Sequence, residues 1–259
     1  MFDYRGMEDM LFVALYCVAA FAALVAGGYL LWRRGNAFMC EDAAADRAAD
    51  YRPRMRSSLR LRRWTAALMA AIVASHVWWY AIGQWWLVDD WTVRTILVIM
   101  LDHAVLVPLV MAVLLAMLQD HHRALWPWLA VQAPVVIFAL VGIAGRSWLY
   151  GYTLAHYWQL AVCAAFVVYY IRALRQYGRW LRDNYSSLER KEVWQSMVFA
   201  VCLFVFYEMY TSNAGEMVKE YAAQVITLVI VAFLLWRVET LQELPSEEEM
   251  EDGSLRSKL

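Results

Sequence analysis

The stretch Trp91–Leu118, WTVRTILVIMLDHAVLVPLVMAVLLAML, is long enough to cross a membrane and decides the fold class. A transmembrane helix needs about 20 mostly apolar residues. This stretch nevertheless carries an acid and an imidazole side by side, Asp102 and His103, near its middle. An ionisable side chain at bilayer depth costs about 2.5–3.5 kcal/mol on insertion scales, so it usually faces protein or water. We therefore expect the other helices to cover Asp102 and His103.

The composition places the whole chain in the same class. Of its 259 residues, 63% are hydrophobic and 18% are charged, whereas soluble domains contain about 45–50% apolar and about 25% charged residues. The net charge of −1 indicates no polyanionic partner. The four cysteines form neither a paired metal motif nor a disulfide framework. The first apolar run lacks a basic region and a cleavage site, so we expect it to remain as a helix.

Seven apolar runs can be delimited, each about the length that spans a bilayer. They cover residues 10–32, 64–88, 91–118, 125–144, 148–171, 193–213 and 215–236. Because the runs lack alternating polarity, they predict helices rather than barrel strands, the two structures that satisfy every backbone group in lipid. The sequence thus predicts an all-α, polytopic membrane protein, with a seven-transmembrane-helix bundle over residues 1–243 and a disordered acidic tail over 244–259.

Lysine and arginine side chains indicate the orientation. Nineteen of the 23 lie in the first, third and fifth connections and in the tail, and the other four are Arg5, Arg94, Arg146 and Lys219. The positive-inside rule then predicts an amino terminus outside and a carboxyl terminus in the cytoplasm. We interpret the arginine-rich face as a topology signal in contact with anionic lipid, and we expect no direct nucleic-acid contact by this chain.

Polar side chains accompany Asp102 and His103 at similar depth in the other apolar runs. At about 1.5 Å of rise per residue, all of them fall between the midplane and the outer surface. They are His76, His156, Gln159 and Glu208. These depths predict a polar cavity in the outer half of the bundle that takes an unknown small ligand or lipid. Because histidine titrates near neutrality, the same cavity could respond to pH.

Tryptophans divide evenly between the two ends of the predicted helices, as two interfacial aromatic belts require. Three of them, Trp78, Trp79 and Trp158, lie too deep for the outer belt. They could line an aromatic pocket next to the polar cavity, or they could pack in the core.

The basic stretch Arg172–Gln195 between helices five and six keeps helical spacing of its apolar residues. It either lengthens helix five or lies along the lipid headgroups as an amphipathic helix. We expect ligand binding to shift helices five and six, and this stretch to carry the movement inward as a signal arm. The arm residues are Arg175, Trp180, Arg182, Tyr185 and Trp194.

Two other functions remain open for the same polar residues. Histidines and carboxylates can bind zinc, and seven-helix metal hydrolases related to ceramidases would use Ser75, His76 and Asp102. Such enzymes also need paired histidines in the last helix, and residues 215–236 contain none. A small transporter or channel is the second alternative, although no internal repeat is visible. We expect no catalytic residue, no metal and no cofactor, and a retinal protein is excluded because Lys219 lies at the outer start of helix seven.

Four stretches together resemble one known family. They are ASHVWWY at Ala74–Tyr80, LLAMLQDHHRALWPW at Leu114–Trp128, RQYGRWLRDNYSSLERKEVWQS at Arg175–Ser196 and LLWRVETLQEL at Leu234–Leu244. The set is similar to the membrane half of bacterial membrane-embedded transcriptional regulators. In that family, seven helices precede a cytoplasmic AraC-type helix-turn-helix domain. The resemblance covers most of the chain from helix two onward.

The resemblance implies a non-catalytic sensor in the bacterial inner membrane that passes a signal to a DNA-binding domain. The chain stops at Leu259, and its tail has no room for two helix-turn-helix units. We therefore expect a truncated relative, a sensor with a separate cytoplasmic DNA-binding partner, or a chain whose carboxyl-terminal output domain is missing. The lipid bilayer is a further expected partner, and a homodimer is left open.

Overall fold

The computed structural model describes residues 7–33, 58–82, 86, 89–184, 196–203 and 216–241. Its regular elements are α1 (Met7–Trp32), α2 (Leu59–Ala81), α3 (Trp91–Ala116), α4 (Trp126–Ala144), a π-helical segment (Leu149–Leu154), α5 (Ala155–Asn184), α6 (196–203) and α7 (Glu216–Thr240). The described part of the chain contains no strand, which agrees with the predicted all-α class.

Five stretches of these helices are long and apolar enough to cross a membrane. They are Met10–Trp32, Trp91–Ala116, Trp126–Ala144, Leu149–Asp183 and Tyr221–Thr240. The structure therefore shows the helices of a membrane protein within the described residues.

Neighbouring helices run antiparallel through the first half of the chain. Tyr16 of α1 contacts His76 of α2, while the residue after α1, Arg33, contacts Arg62 near the start of α2. α3 packs against α2 and α4, α5 packs against α4, and α7 packs against α1 and α2. We call the end of the bundle where α1 ends and α2 begins the basic end, and the other end the opposite end.

Two glycines bring α4 and the π-helical segment together at the opposite end. A Cβ atom built on Gly142 would lie 2.1 Å from the Cα atom of Gly151, so no larger residue fits there. Nearby, the side chain of Asp90 caps α3 by accepting a hydrogen bond from the backbone N–H of Val93 at 3.1 Å. The end of α4 therefore packs closely against the π-helical segment, and the first turn of α3 is capped.

The apolar core lies mainly in the half of the bundle next to the basic end. Its largest fully buried side chains include Met69, Leu115, Tyr170 and Leu234. Lipid-facing helices need no apolar core to be stable in a bilayer, because packing and hydrogen bonds between helices replace it. The concentration of buried apolar side chains thus divides the bundle into a densely packed basic half and an opposite half with a smaller apolar core.

The observed bounds differ from the predicted runs at several places, and α7 for example ends at Thr240, four residues later than predicted. α2 begins at Leu59, five residues earlier than predicted, and is described as α-helix to Ala81. α5 continues to Asn184, so the basic stretch lengthens helix five as far as that residue rather than lying along headgroups. The predicted sixth helix is described over 196–203, and the predicted tail at 244–259 lies outside the described residues.

Candidate functional site

Both carboxylate oxygens of Asp102 accept hydrogen bonds from α2. Oδ1 accepts from the hydroxyl of Ser75 at 2.6 Å and from the indole N–H of Trp78 at 3.1 Å. Oδ2 accepts from the indole N–H of Trp79 at 2.7 Å. We call these four residues the Asp102 cage. It fixes the carboxylate with uncharged donors, which is how a buried acid avoids the cost of an unpaired charge.

Helical spacing explains why one turn of α2 supplies all three donors. Ser75, Trp78 and Trp79 stand at positions i, i+3 and i+4, which share one face of an α-helix. That face meets α3 at Asp102. The spacing is visible in the sequence, so the cage could have been found there by pairing the tryptophans with the acid.

His76 lies on a different face of the same turn and joins α2 to α1 and α7. Its Nδ1 atom lies 2.7 Å from the carbonyl oxygen of Ile72, and its Nε2 atom lies 3.0 Å from the amide oxygen of Gln224 on α7. The hydroxyl of Tyr16 on α1 donates to the carbonyl oxygen of His76 at 2.5 Å, and the two rings lie 4.4 Å apart. We call Tyr16, His76 and Gln224 the His76 link.

The hydrogen-bond partners of His76 determine which of its two ring nitrogens carries a proton. A carbonyl oxygen only accepts, so Nδ1 carries a proton and donates to Ile72. In a neutral ring Nε2 is then an acceptor for the amide N–H₂ of Gln224, and in a protonated ring it is a donor to the amide oxygen. Rotation of this amide therefore keeps α2 and α7 joined in both charge states of His76.

His103 does not join the Asp102 cage, although it is the next residue. Its side chain is 7% exposed, and Nδ1 lies 2.8 Å from the carbonyl oxygen of Ile99 one turn earlier. His103 interacts electrostatically with His156 of α5, whose ring stacks on Tyr152 at 5.8 Å. The two histidines therefore belong to the side of α3 that faces α5.

The predicted site residues thus form three groups rather than the lining of one cavity. Asp102, Trp78 and Trp79 are together, His76 is in the His76 link, and His103 interacts with His156. Trp158 is a separate case, because its indole N–H donates to the carbonyl oxygen of Val131 on α4 at 2.9 Å. Glu208 lies outside the described residues.

The described part of the predicted signal arm is a packed continuation of α5. Leu174, Tyr177 and Leu181 are buried in the core, while Arg175 and Arg182 on the other face are exposed. The ring of Trp180 stacks on Tyr177 at 5.9 Å. The remaining arm residues, Tyr185 and Trp194, lie outside the described residues.

Buried charged side chains at the basic end were missed by the sequence analysis, which assigned the arginines there to topology and lipid contact. Nη1 of Arg62 on α2 lies 2.9 Å from Oε1 of Glu239 on α7, and each side chain is 3% exposed. Arg62 also donates to the carbonyl oxygen of Arg33. Arg237 of α7 is 1% exposed and donates to the hydroxyl of Ser196 on α6 at 3.3 Å.

A second buried ion pair lies in the connection after α3. The guanidinium of Arg123 donates to both carboxylate oxygens of Asp120 at 2.5 and 2.7 Å. The side chains of Arg123 and Asp120 are 3% and 4% exposed. Only the alternation of signs in QDHHR hints at such a pair in the sequence, and that signal is typical of any solvated turn.

One cleft among the described residues is apolar and lies between α2, α3, α6 and α7. It is narrow and partly open, with a cavity volume of about 10 Å³. Its lining side chains are Leu68, Val110, Val113, Phe199, Leu203, Ile230 and Leu234. Within the described ranges, no group of three or more histidine, cysteine, aspartate or glutamate side chains could hold a metal ion.

Comparisons with protein-family models, with curated proteins and with solved structures each found no match. The similarity to AraC-type membrane regulators accordingly stays a prediction from the four sequence stretches.

Proposed function

We propose that this chain is the sensory module of a transcriptional regulator in the bacterial inner membrane. In this proposal seven helices cross the membrane, the amino terminus is outside, and the carboxyl terminus is in the cytoplasm. Five described helical stretches that are long and apolar enough to span support it, as does the placement of nineteen of the 23 basic residues. The chain itself is non-catalytic, and its output passes through a DNA-binding domain or partner.

The observation that carries the proposal is the position of α2 between two sets of polar contacts. Toward the opposite end, α2 holds Asp102 of α3 and contacts Gln224 of α7. At the basic end, the same helix contacts α7 again through Arg62 and Glu239. A shift of α2 at the Asp102 cage must therefore be absorbed where α2 contacts α7, including the ion pair, because a helix of 23 residues moves largely as one body.

In this proposal, a signal is a ligand, lipid or proton that binds more tightly to one arrangement of the Asp102 cage than to another. A small hydrogen-bonding ligand or lipid headgroup that competes for the Ser75 hydroxyl or the Trp79 indole releases one carboxylate oxygen of Asp102. A proton on Asp102 has a similar effect, since it turns one acceptor oxygen of the carboxylate into a donor. Either signal shifts the balance only by its differential affinity for the two arrangements.

Asp102→Asn in the full chain tests the proposal. A DNA-binding reporter domain fused after Leu259 would report transcription while external pH and lipid composition are varied. We expect the wild type to respond and Asp102→Asn to give a fixed output, because the N–H₂ that replaces one carboxylate oxygen cannot accept a hydrogen bond, so one side of the cage loses its acceptor. Amounts in the membrane should be equal for the two proteins.

Asp90→Asn is the matched control. It makes the same chemical change near the same end, and asparagine caps a helix about as well as aspartate. We expect its response to equal that of the wild type. Identical responses in Asp102→Asn, Asp90→Asn and the wild type would reject the sensor proposal. Stoichiometric zinc in purified protein would favour the metal hydrolase instead, and liposome flux that is lost in Asp102→Asn would favour a transporter or channel.

A further inference from the structure

Two buried glutamine side chains have amide atoms without a protein partner. Gln132 of α4 is 5% exposed, and neither its amide nitrogen nor its amide oxygen has a hydrogen-bond partner. Gln159 of α5 is fully buried; its nitrogen contacts the sulfur of Cys163 at 3.3 Å, and its oxygen has no partner. Buried amides are nearly always satisfied by protein or by ordered water, and lipid acyl chains offer no hydrogen-bond partner in their place.

The two glutamines share one interface at the same level. The preceding residues, Val131 and Trp158, are joined by the indole-to-carbonyl hydrogen bond of 2.9 Å on the exposed side of α4 and α5. One step further along each antiparallel helix turns the side chain by about 100° to the buried side. Gln132 and Gln159 are both buried, so both amides enter the wedge behind that hydrogen bond.

α3 forms the third wall of this wedge. The side chains of Asp90 and Arg146, at the start of α3 and the end of α4, lie 3.4 Å apart. Ala104 and Gln132 each lie fourteen residues from that pair, at a depth of about 21 Å on their helices. Pro108 is inside α3 and has no N–H to donate to the carbonyl oxygen of Ala104. The carbonyl oxygen of Ala104, which lacks its helical N–H donor, therefore lies at the same depth as the two amides.

We propose that this wedge between α3, α4 and α5 is a binding site for a neutral hydrogen-bonding molecule, and that its occupant is water. The amides of Gln132 and Gln159 offer both donors and acceptors, which suits water because a water molecule also both donates and accepts. α4 carries no charged residue between Trp126 and Ala144, and the nearest carboxylate of α3, Asp102, is held by α2. A water bonded to both glutamines satisfies atoms that the protein leaves open.

The site is separate from the Asp102 cage and does not depend on the proposed sensor function. The cage lies between α2 and α3, and the wedge lies on the side of α3 that faces α4 and α5. The histidines His103 and His156 border the same side. A hydrated wedge would give this side of the bundle a polar interior that no side chain supplies alone.

A double-mutant cycle on the full chain in lipid nanodiscs tests the proposal. We expect Gln132→Leu and Gln159→Leu each to lower the unfolding temperature by roughly 2–8 °C, because each leaves the shared water and the other amide short of a partner. The double variant should lose clearly less than the sum of the two single losses. Gln176→Leu, at an exposed position of α5, is the matched control and should leave the unfolding temperature unchanged.

The proposal would be overturned if each single variant raised the unfolding temperature and the two effects added in the double variant. That result would indicate two independent amides that bind no water and that leucine replaces favourably. Infrared spectra of the wild type provide a second test that requires no variant to fold. In films dried until bulk water is lost, an O–H stretching band should remain and should shift when H₂¹⁸O replaces water. The absence of an ¹⁸O-sensitive band would equally overturn the proposal.

Discussion

The two halves of the bundle bury ionisable side chains in opposite ways. At the basic end, Arg62 and Glu239 are paired charges that are each 3% exposed. In the opposite half, the carboxylate of Asp102 has no cationic partner within hydrogen-bond distance in the described structure and is held by a hydroxyl and two indoles. The first arrangement compensates each charge with an opposite charge, whereas the second divides one charge among three neutral donors.

This difference indicates which half of the bundle can lose or rearrange a polar contact at low cost in free energy. An ion pair buried in a packed core loses its compensation at once when one partner is removed. A carboxylate with three donors loses one hydrogen bond and keeps two, so rearrangement costs less. We therefore expect the basic half to set stability and the opposite half to allow the small movements that a sensor requires.

The largest effect should follow from breaking the buried ion pair. Glu239→Ala leaves the guanidinium of Arg62 buried without its carboxylate, and we expect a loss of about 3–5 kcal/mol in the free energy of unfolding. Denaturant unfolding of the purified protein in detergent measures it. The double variant Arg62→Met with Glu239→Leu removes both charges and should lie within about 1.5 kcal/mol of the wild type. If the double variant were as unstable as Glu239→Ala, packing rather than charge would explain the loss.

A smaller effect should follow from removing one donor of the Asp102 cage. Trp79→Phe keeps the ring and deletes the N–H that lies 2.7 Å from Oδ2, and we expect a loss of about 1–3 kcal/mol by the same unfolding measurement. Trp78→Phe deletes a longer bond of 3.1 Å to an oxygen that Ser75 also reaches, so its loss should be smaller. Equal losses for the two variants would contradict the idea that the donors share the charge unequally.

The smallest effect should come from the exposed ion pair between Arg146 and Asp90. The arginine side chain is 79% exposed, and exposed pairs contribute about 0–1 kcal/mol. Arg146→Ala should therefore change the free energy of unfolding by less than about 1 kcal/mol. A large loss here would mean that pairing itself, and not burial of the pair, determines how much stability is lost when an ion pair is broken.

Hydrophobic length predicted the membrane-spanning helices well, because about 20 apolar residues are a strong and local signal. α3 and α4 begin and end within two residues of the predicted runs. The number of spans and the orientation are not tested by the described residues. The extension of α5 to Asn184 was one of two predicted alternatives, and the burial of Leu174 and Leu181 decided between them.

For the candidate site, the sequence predicted the depth of each polar residue along its helix but not which residues contact each other. Depth follows from position along a helix, but the direction of a side chain depends on how each helix is rotated against its neighbours, which no single run contains. Asp102 and His103 illustrate this, since adjacent residues on a helix point about 100° apart and reach different partners. Arg62 could not have been singled out, because eight other arginines in the same connection look alike in the sequence.

The length of α5 has a consequence for the thickness of membrane that suits the bundle. The continuous helical stretch Leu149–Asp183 has 35 residues, or about 52 Å at the helical rise, whereas the hydrocarbon layer is about 30 Å thick. About 20 Å of this stretch therefore lies beyond the acyl chains, in the headgroup region and the water. The Arg62–Glu239 pair lies near the same end, and the protein that surrounds it, not lipid, excludes water from both side chains. A thicker bilayer would bring acyl chains against Arg175 and Arg182, so this bundle should be sensitive to hydrophobic mismatch.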